Sequence, residues 1–353
     1  RIASEEDMAV FKEAEQYLES KRVELWEKWG MDPVPDEEIP LMSGTFNVPI
    51  YGMNKWGDLY NSRQKLALIS FANKIKLFYE KEKYYYTKVG ESEYIICVVN
   101  NLALVLNRLA DYNSSLCIWH TTKELLAHTF GRQALPMVWD YVEINPFSNS
   151  TGNWLDSLGY FTKVIDHCSN LPGKNKISNI SVIQSSATSL QYPDNYFDAV
   201  ITDPPYYDAV PYADLSDFFY VWSKRITGDL SSQLFATPLT PKTEEIAEMN
   251  KWDPSRYSNK DKNFFEFMIS KSFNEIYRAL KNEGIAVVVF AHKSTEAWET
   301  IINALLHSGL YLTASWPLHT EMKARLRAKE SAALASSIYM VCRKRTTSET
   351  AYF

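Results

Sequence analysis

The sequence predicts an α/β fold that is preceded by a mostly helical region. The first half carries apolar residues at helical spacing, whereas short apolar segments alternate with helical ones after Pro172-Gly173. Alternation of strands and helices favours a layered sheet with right-handed crossovers. The chain has 353 residues, which is enough for one large domain or two ordinary ones.

The helical half divides into an N-terminal segment and a larger region. Residues 1–40 combine a charged helix from Ser4 to Trp29 with an acidic, proline-rich linker. Residues 41–172 should be mostly helical after an extended stretch at Thr45 to Tyr51. Three helices are expected in this region. One is capped by Ser62, one runs from Tyr94 to Leu109, and one runs from Thr121 to Phe130.

Residues 173–345 form the predicted α/β domain, and residues 346–353 form a tail. The expected strands are Ile180 to Ile183, Phe197 to Thr202, Ile285 to Phe290, Leu310 to Ser315 and Ser337 to Cys342. Three helices are expected. The first carries Leu215, Phe218 and Trp222, the second runs from Phe265 to Leu280 and ends at Gly284, and the third runs from Thr295 to His307. In such sheets ligands bind at the carboxyl ends of the strands, so the residues after Thr202 are the first candidates for a site.

Composition and charge exclude some functions. The net charge of −6 argues mildly against a stand-alone DNA-binding protein but leaves room for a local basic face. The four cysteines and six histidines are scattered, so we predict no metal site and expect reduced, buried cysteines. We find no signal-peptide pattern and no apolar run that we expect to span a membrane, which favours a cytoplasmic protein. Because the chain starts with Arg1 rather than Met, we expect a fragment or a processed product.

The segment Asp203-Pro204-Pro205-Tyr206 directly follows a predicted strand. The two prolines fix the backbone and remove two N–H donors, so the carbonyl groups become rigid acceptors beside the carboxylate. An exocyclic amine has two N–H groups, which the Asp203 carboxylate and the Pro204 carbonyl can accept. This would aim the nitrogen lone pair at a methyl donor, while Tyr206 offers a ring for stacking on an extruded base. The alternative is a strand-ending turn without chemistry.

The motif and its surroundings resemble the amino-methyltransferases that act on adenine N6 or cytosine N4. More specifically, the chain resembles the long, zinc-ribbon-containing, adenine-specific DNA methylases, some of which lie in anti-phage gene clusters. Its longest motif is the stretch at residues 202–222, TDPPYYDAVPYADLSDFFYVW. The resemblance runs from about Thr45 to Arg345 and includes Trp56 to Tyr60 with Arg63-Gln64, Met137 to Tyr141 with Glu143 to Phe147, Gln184 to Thr188, and Leu239 to Lys242.

The resemblance implies a Rossmann-like methyltransferase sheet with helices on both faces and S-adenosylmethionine as the cofactor. It implies methyl transfer to an exocyclic amine of a flipped-out DNA base, with adenine N6 favoured. The catalytic residues would be Asp203, Pro204, Pro205 and Tyr206. The cofactor contacts would be Ser186, Ala187, Thr202 and Asp203. The substrate contacts would be Tyr206, Tyr207, Asp208, Lys323, Arg325 and Arg327.

The chain departs from this family in its N-terminal half. We find neither the Asp-Pro-Phe loop, which cradles the methionine end of the cofactor, nor the zinc ribbon. The chain therefore resembles only the C-terminal half of such a protein, and an upstream half would be its partner. Two alternatives remain open. One is a methyltransferase-like module that binds nucleic acid or a partner and is inactive alone, and the other is an enzyme acting on an RNA base amine.

Several residues have a structural interpretation beside the functional one. Ser186 would contact the cofactor adenine or lie in a plain loop, and Glu143 would shape the site or act as a turn acid. Tyr207 and Asp208 would line the target pocket or pack in the loop. The basic residues Lys323, Arg325 and Arg327 would hold phosphates or form a solvated face. Asp214 and Asp217 are expected to cap a helix.

Overall fold

The computed structural model describes residues 3–170, 180–208, 210–292, 294–318 and 337–345. The chain divides into two compact units, the first comprising Arg1–Asn179 with Tyr212–Thr243 and the second comprising Ile180–Pro211 with Glu244–Phe353. This division differs from the predicted boundary at residue 173, because residues 212–243 group with the helical unit.

Helix α1, Glu5–Trp29, opens the first unit and confirms the expected N-terminal helix. Ser4 and Asp7 form a capping box in which each side chain accepts the other's backbone N–H. Gly30 ends the helix in the left-handed conformation, with φ of 66°, as its sequence position predicts. Its local capping signals therefore predict both of its ends.

Two long helices form the centre of this unit, α2 at Ser62–Lys88 and α3 at Ser92–Tyr112. The cap of α2 is Asn61 rather than Ser62, because the Asn61 side chain accepts the Gln64 N–H. By length and composition alone α3 would be able to cross a membrane, contrary to the expectation that no apolar run is long enough. Its apolar face is buried and packs against α2, against α4 at Trp154–Ser169 and against α5 at Tyr212–Thr227, as in a core helix.

Short elements replace two of the predicted ones. The expected extended stretch at Thr45 to Tyr51 contains a 3-10 helix, Val48–Tyr51, and Trp56–Leu59 forms another. The expected helix at Thr121 to Phe130 is wrong. This region is an antiparallel hairpin of β1, Ile118–His120, and β2, Leu125–Ala127. Thr129 donates to the Asp111 carbonyl and is buried, so tertiary hydrogen bonds outweigh a weak helical pattern.

Helix α5, Tyr212–Thr227, explains why residues 212–243 belong to the first unit. It packs against α2 and α3 with Phe218 and Trp222 buried. The Trp222 indole N–H donates to the hydroxyl of Tyr60 at 3.2 Å, which satisfies a buried polar group. Asp214 lies in the first turn of the helix, whereas Asp217 lies one turn further in and is too far from the helix start to cap it, contrary to expectation; both residues are fully buried.

The second unit is a mixed α/β layer. Its elements are β3 at Phe197–Thr202, α6 at Lys262–Ala279, β4 at Leu280–Phe290, α7 at Thr295–His307, β5 at Leu310–Leu318 and β6 at Ser337–Lys344. The strands follow the order β3-β4-β6-β5. Strands β3 and β4 are parallel, whereas β6 is antiparallel to both of its neighbours. The sheet is therefore small and mixed.

Helices α6 and α7 cover one face of this sheet. Phe273 and Ile301 from the helices pack with Val288 and Phe290 from β4 in one apolar core. The register pairs Ile201 with Val287 and so places Ile201 on the opposite face, where it is 75% exposed. Within the described part of this unit, helices thus lie on one face, and the expected cover on both faces is not observed.

Two expectations in this unit are wrong. Ile180 to Ile183 forms no strand, and Val182 is 94% exposed. Gly284 does not end α6, because the helix stops at Ala279 and the chain enters β4 directly at Leu280. Apolar content predicts a strand only where a neighbouring strand accepts its hydrogen bonds.

Candidate functional site

The segment Asp203 to Tyr206 begins directly where β3 ends, beside β4. Thr202 pairs with Val288 of β4, so the half-buried threonine is a ladder residue of the sheet. The Asp203 side chain is exposed and accepts no hydrogen bond or ion pair from any residue that the structure describes. Pro204 is buried and Pro205 half-buried, so the turn is anchored while the carboxylate stays open to a ligand. This is the position at which α/β sheets bind ligands.

The two tyrosines after the prolines have different environments. The ring of Tyr206 is half-buried and meets Phe290 edge-on at 5.6 Å between centroids. Tyr207 is 4% exposed and packs edge-on against Phe265 at 5.0 Å. Tyr207 is therefore a core residue. Its burial favours the packing interpretation over a position in the substrate pocket. Burial and the neighbouring Glu248 raise the pKa of its hydroxyl well above the ordinary value.

The backbone at Tyr207 adopts the left-handed conformation, with φ of 55°. A bulky residue is rarely found there and costs of order 1 kcal/mol or more. The strain is held in place by hydrogen bonds from both sides. The Tyr207 N–H donates to the Pro205 carbonyl at 3.0 Å, and the Tyr207 carbonyl accepts the Glu248 N–H at 3.1 Å.

Asp208 pairs with a residue that the sequence interpretation missed. His292 Nε2 lies 3.3 Å from Asp208 Oδ1, and Lys251 Nζ lies 3.9 Å from Asp208 Oδ2. The Trp252 indole N–H donates to the Asp208 carbonyl at 3.1 Å. The hydrogen bond with His292 is the largest cause that lowers the pKa of Asp208, and Lys251 adds to it while burial opposes it. One signal was present in the sequence, because His292 follows the buried strand β4 as Asp203 follows β3.

The expected cofactor residues Ser186 and Ala187 lie in a turn. The Ser186 hydroxyl is within 2.8 Å of the Thr188 hydroxyl, and Ser186 carbonyl accepts the Ser189 N–H. These contacts agree with the plain-loop interpretation of Ser186. The chain from this turn to β3 is anchored on α6, because Arg278 donates to the Leu190 carbonyl.

Two sets of candidates fall elsewhere. Lys323, Arg325 and Arg327 lie outside the described residues. In the first unit, Glu143 accepts both Nε and a terminal nitrogen of Arg63, at 3.0 and 2.9 Å, and also the Asn61 amide at 2.7 Å. This bidentate pair fixes the segment around Glu143 and agrees with a structural acid.

The acid Asp217 also has a structural role. It accepts the Thr240 N–H at 2.9 Å and pairs with Lys242 at 2.8 Å. Burial raises the pKa of Asp217, and the bonds to Lys242 and Thr240 only partly oppose this. The pair fixes the segment from Leu239 to Lys242 on α5. It thereby links two segments that carry the family resemblance, residues 202–222 and residues 239–242, through a structural contact.

Comparisons with known proteins add no assignment. Among the described residues, no group of three or more histidines, cysteines or acids is placed to hold a metal. No protein-family model matches the sequence, and no curated protein matches it.

Proposed function

We propose that this chain transfers a methyl group from S-adenosylmethionine to an exocyclic amine of a DNA base, with adenine N6 as the expected acceptor. The observation that carries the proposal is the open carboxylate of Asp203, held by two prolines at the carboxyl end of a parallel strand. The base would be flipped out of the duplex to reach it. The cytoplasm is the expected compartment.

The residues of the turn orient the amine in this proposal. One amine N–H is accepted by the Asp203 carboxylate and the other by the Pro204 carbonyl, which directs the nitrogen lone pair away from both. S-adenosylmethionine, when bound, would supply a methyl group on a positively charged sulfur. As the nitrogen–carbon bond forms, the sulfur–carbon bond would break, S-adenosylhomocysteine would leave, and the amine would release one proton to solvent past the Asp203 carboxylate. Positioning of this kind is worth several kcal/mol of barrier. The half-buried Tyr206 offers one ring edge or face to the base while Phe290 holds it from the other side.

The topology of the second unit supports a Rossmann-like methyltransferase sheet. Strand β6 runs antiparallel between β4 and β5, which run in the same direction. Helix α7 connects β4 to β5 as a crossover helix.

The described residues fit the amine side of this reaction better than the cofactor side. The described glycines with left-handed backbone are Gly30, Gly44, Gly52, Gly90, Gly152 and Gly309. None of these directly follows β3 or β4, and the cofactor loop that the family resemblance implies belongs to the upstream half. A second candidate function therefore stands beside the first, a methyltransferase-like module that is inactive until another polypeptide completes it.

The edge of the sheet favours this second candidate. Strand β3 carries apolar residues at four of its six positions, Phe197, Ala199, Val200 and Ile201, and apolar runs are typical of strands in a parallel sheet. Yet Ile201 is 75% exposed, and β4 is the one neighbour that β3 has in the described sheet. An unpaired strand edge beside exposed apolar residues favours an additional strand from a partner such as an upstream half.

The test combines binding with transfer. Calorimetric titration of the chain with S-adenosylmethionine is followed by a transfer assay with methyl-labelled cofactor and three oligonucleotides. These are a DNA duplex with adenine, a DNA duplex with cytosine but no adenine, and a guanine-containing RNA. Binding with label on adenine DNA supports the proposal, and label on RNA alone replaces DNA with RNA as the substrate. Absence of binding and transfer by the chain alone refutes a self-sufficient enzyme and favours the module.

A further inference from the structure

The ends of β3 and β4 are joined by a side-chain pair. Asp208 lies in the turn after β3, and His292 lies just after β4. Their atoms Oδ1 and Nε2 are 3.3 Å apart, and the side chains are 35% and 13% exposed. Because parallel strands end at the same edge of a sheet, this pair links the motif turn to the neighbouring strand end.

The second nitrogen of His292 defines what the imidazole does. The Ser294 N–H donates to His292 Nδ1 at 3.1 Å, so Nδ1 acts as an acceptor and carries no proton. The proton then lies on Nε2, which donates to Asp208. With both nitrogens engaged, His292 has no lone pair free for substrate chemistry. Its geometry is that of a residue that holds another one in place.

The turn that His292 holds needs such support. Tyr207 has a left-handed backbone between Tyr206 and Asp208, and this conformation persists only where surrounding contacts impose it. On one side the Tyr207 ring meets the imidazole of His292 at 5.8 Å between centroids. On the other side the Trp252 indole N–H fixes the Asp208 carbonyl. The His292 carbonyl in turn accepts the Trp298 indole N–H at 2.9 Å.

We infer that His292 is a positioning residue that, through Asp208, fixes the turn carrying Asp203 and Tyr206 in the geometry that methyl transfer requires. The expected effect on kcat rests on the proposed function, whereas the fixing of the motif turn by His292 does not depend on it. It also changes the expected role of Asp208 from a substrate contact to the link between the two strand ends.

The kinetic experiment compares four variants of the pair and one control variant with the wild type. His292→Ala and Asp208→Ala remove the pair, and the double variant removes both partners. His292→Gln keeps an N–H donor near the place of Nε2. His307→Ala removes an exposed histidine on α7 and serves as the control. The first three should lower kcat by about 10- to 100-fold, with the KM for S-adenosylmethionine within about twofold of the wild type. The double variant should lose no more than either single variant, and His292→Gln should recover most of kcat.

A second readout does not depend on activity. The indole N–H resonances of Trp252 and Trp298 report directly on Asp208 and His292, and single Trp→Phe variants assign them among the ten tryptophans. In His292→Ala and in Asp208→Ala the Trp252 resonance should shift, whereas in His292→Gln it should stay near its wild-type position.

The outcomes separate this inference from the proposed function. An unchanged Trp252 resonance in His292→Ala, or an unchanged kcat in that variant, would overturn the inference. A loss in His292→Gln as large as that in His292→Ala would also overturn it, because the donated hydrogen bond would then be irrelevant. If the wild type transfers no methyl group, the proposed function fails while the resonances still decide whether His292 holds the turn.

Discussion

Arg225 allows a sharp prediction about the stability of the first unit. Its side chain is 2% exposed, and its five N–H groups are all engaged. Three of its hydrogen bonds go to the carbonyls of Asp32, Val34 and Val221, at 2.8, 3.2 and 2.9 Å. The other two go to the carboxylates of Glu37 and Asp36, at 3.0 and 3.1 Å.

Replacing Arg225 by Ala leaves these acceptors without their donor. Asp36 is half-exposed and can hydrate, but the Glu37 side chain is only 14% exposed and stays partly desolvated. Removing one partner of a buried charged network lowers the free energy of unfolding by about 3 to 5 kcal/mol. We expect Arg225→Ala to fall in the upper part of this range, because it also removes the packing of the side chain. Arg225→Lys should also destabilise, by about 2 kcal/mol, because an ammonium group cannot reproduce the planar fork.

Urea unfolding followed by circular dichroism and tryptophan fluorescence measures the loss as a lower midpoint at constant slope. The exposed Arg132 is a matched control in the same unit, and Arg132→Ala should change the free energy of unfolding by less than about 0.5 kcal/mol. A loss below about 1 kcal/mol in Arg225→Ala would refute the conclusion that this network joins residues 32–37 to α5.

Two further predictions concern the hairpin turn and the motif turn. Glu124 is exposed and has a left-handed backbone with φ of 50°. Glu124→Gly should relieve this strain, stabilise the chain by about 0.5 to 1 kcal/mol and raise the thermal midpoint. An unchanged or lower midpoint would contradict this. The pKa of Asp208 is lowered mainly by His292, so its stabilising contribution is complete above the unfolded value of about 3.9 and is lost as pH falls through the folded pKa. Asp208→Asn should remove this part of the acid dependence, and identical unfolding curves of both proteins between about pH 5 and pH 2 would contradict it.

Local signals predicted a good part of the fold. Helical spacing from Ser4 to Trp29 and the glycine at residue 30 predicted α1, and α7 has the predicted bounds of Thr295 and His307. The strand before Asp203 was also predicted correctly, because its apolar run is bounded by turn residues. In these cases the information lies within a few residues of the element.

The errors come from interactions that are distant in the sequence. Tyr207 follows the motif and was expected to line the target pocket, but its burial depends on Phe265 and on the Glu248 backbone. Asp208 and His292 are 84 positions apart, so no local pattern joins them. The hairpin at residues 118–127 is stabilised by cross-strand pairing and by buried hydroxyl groups rather than by helical periodicity. Such contacts outweigh propensity, which is a weak local preference.

The role of Asp203 is tested most directly by comparing it with an acid of the strand that precedes it. Asp198 lies on β3, and its side chain is 85% exposed and pairs with Lys281 at the surface. Methyl transfer to adenine in duplex DNA is measured for the wild type, Asp203→Ala and Asp198→Ala, after calorimetry has established that each binds S-adenosylmethionine. We predict that Asp203→Ala lowers kcat by at least about 100-fold and that Asp198→Ala stays within about twofold of the wild type. Equal activity of Asp203→Ala and the wild type would contradict the proposed role of this carboxylate.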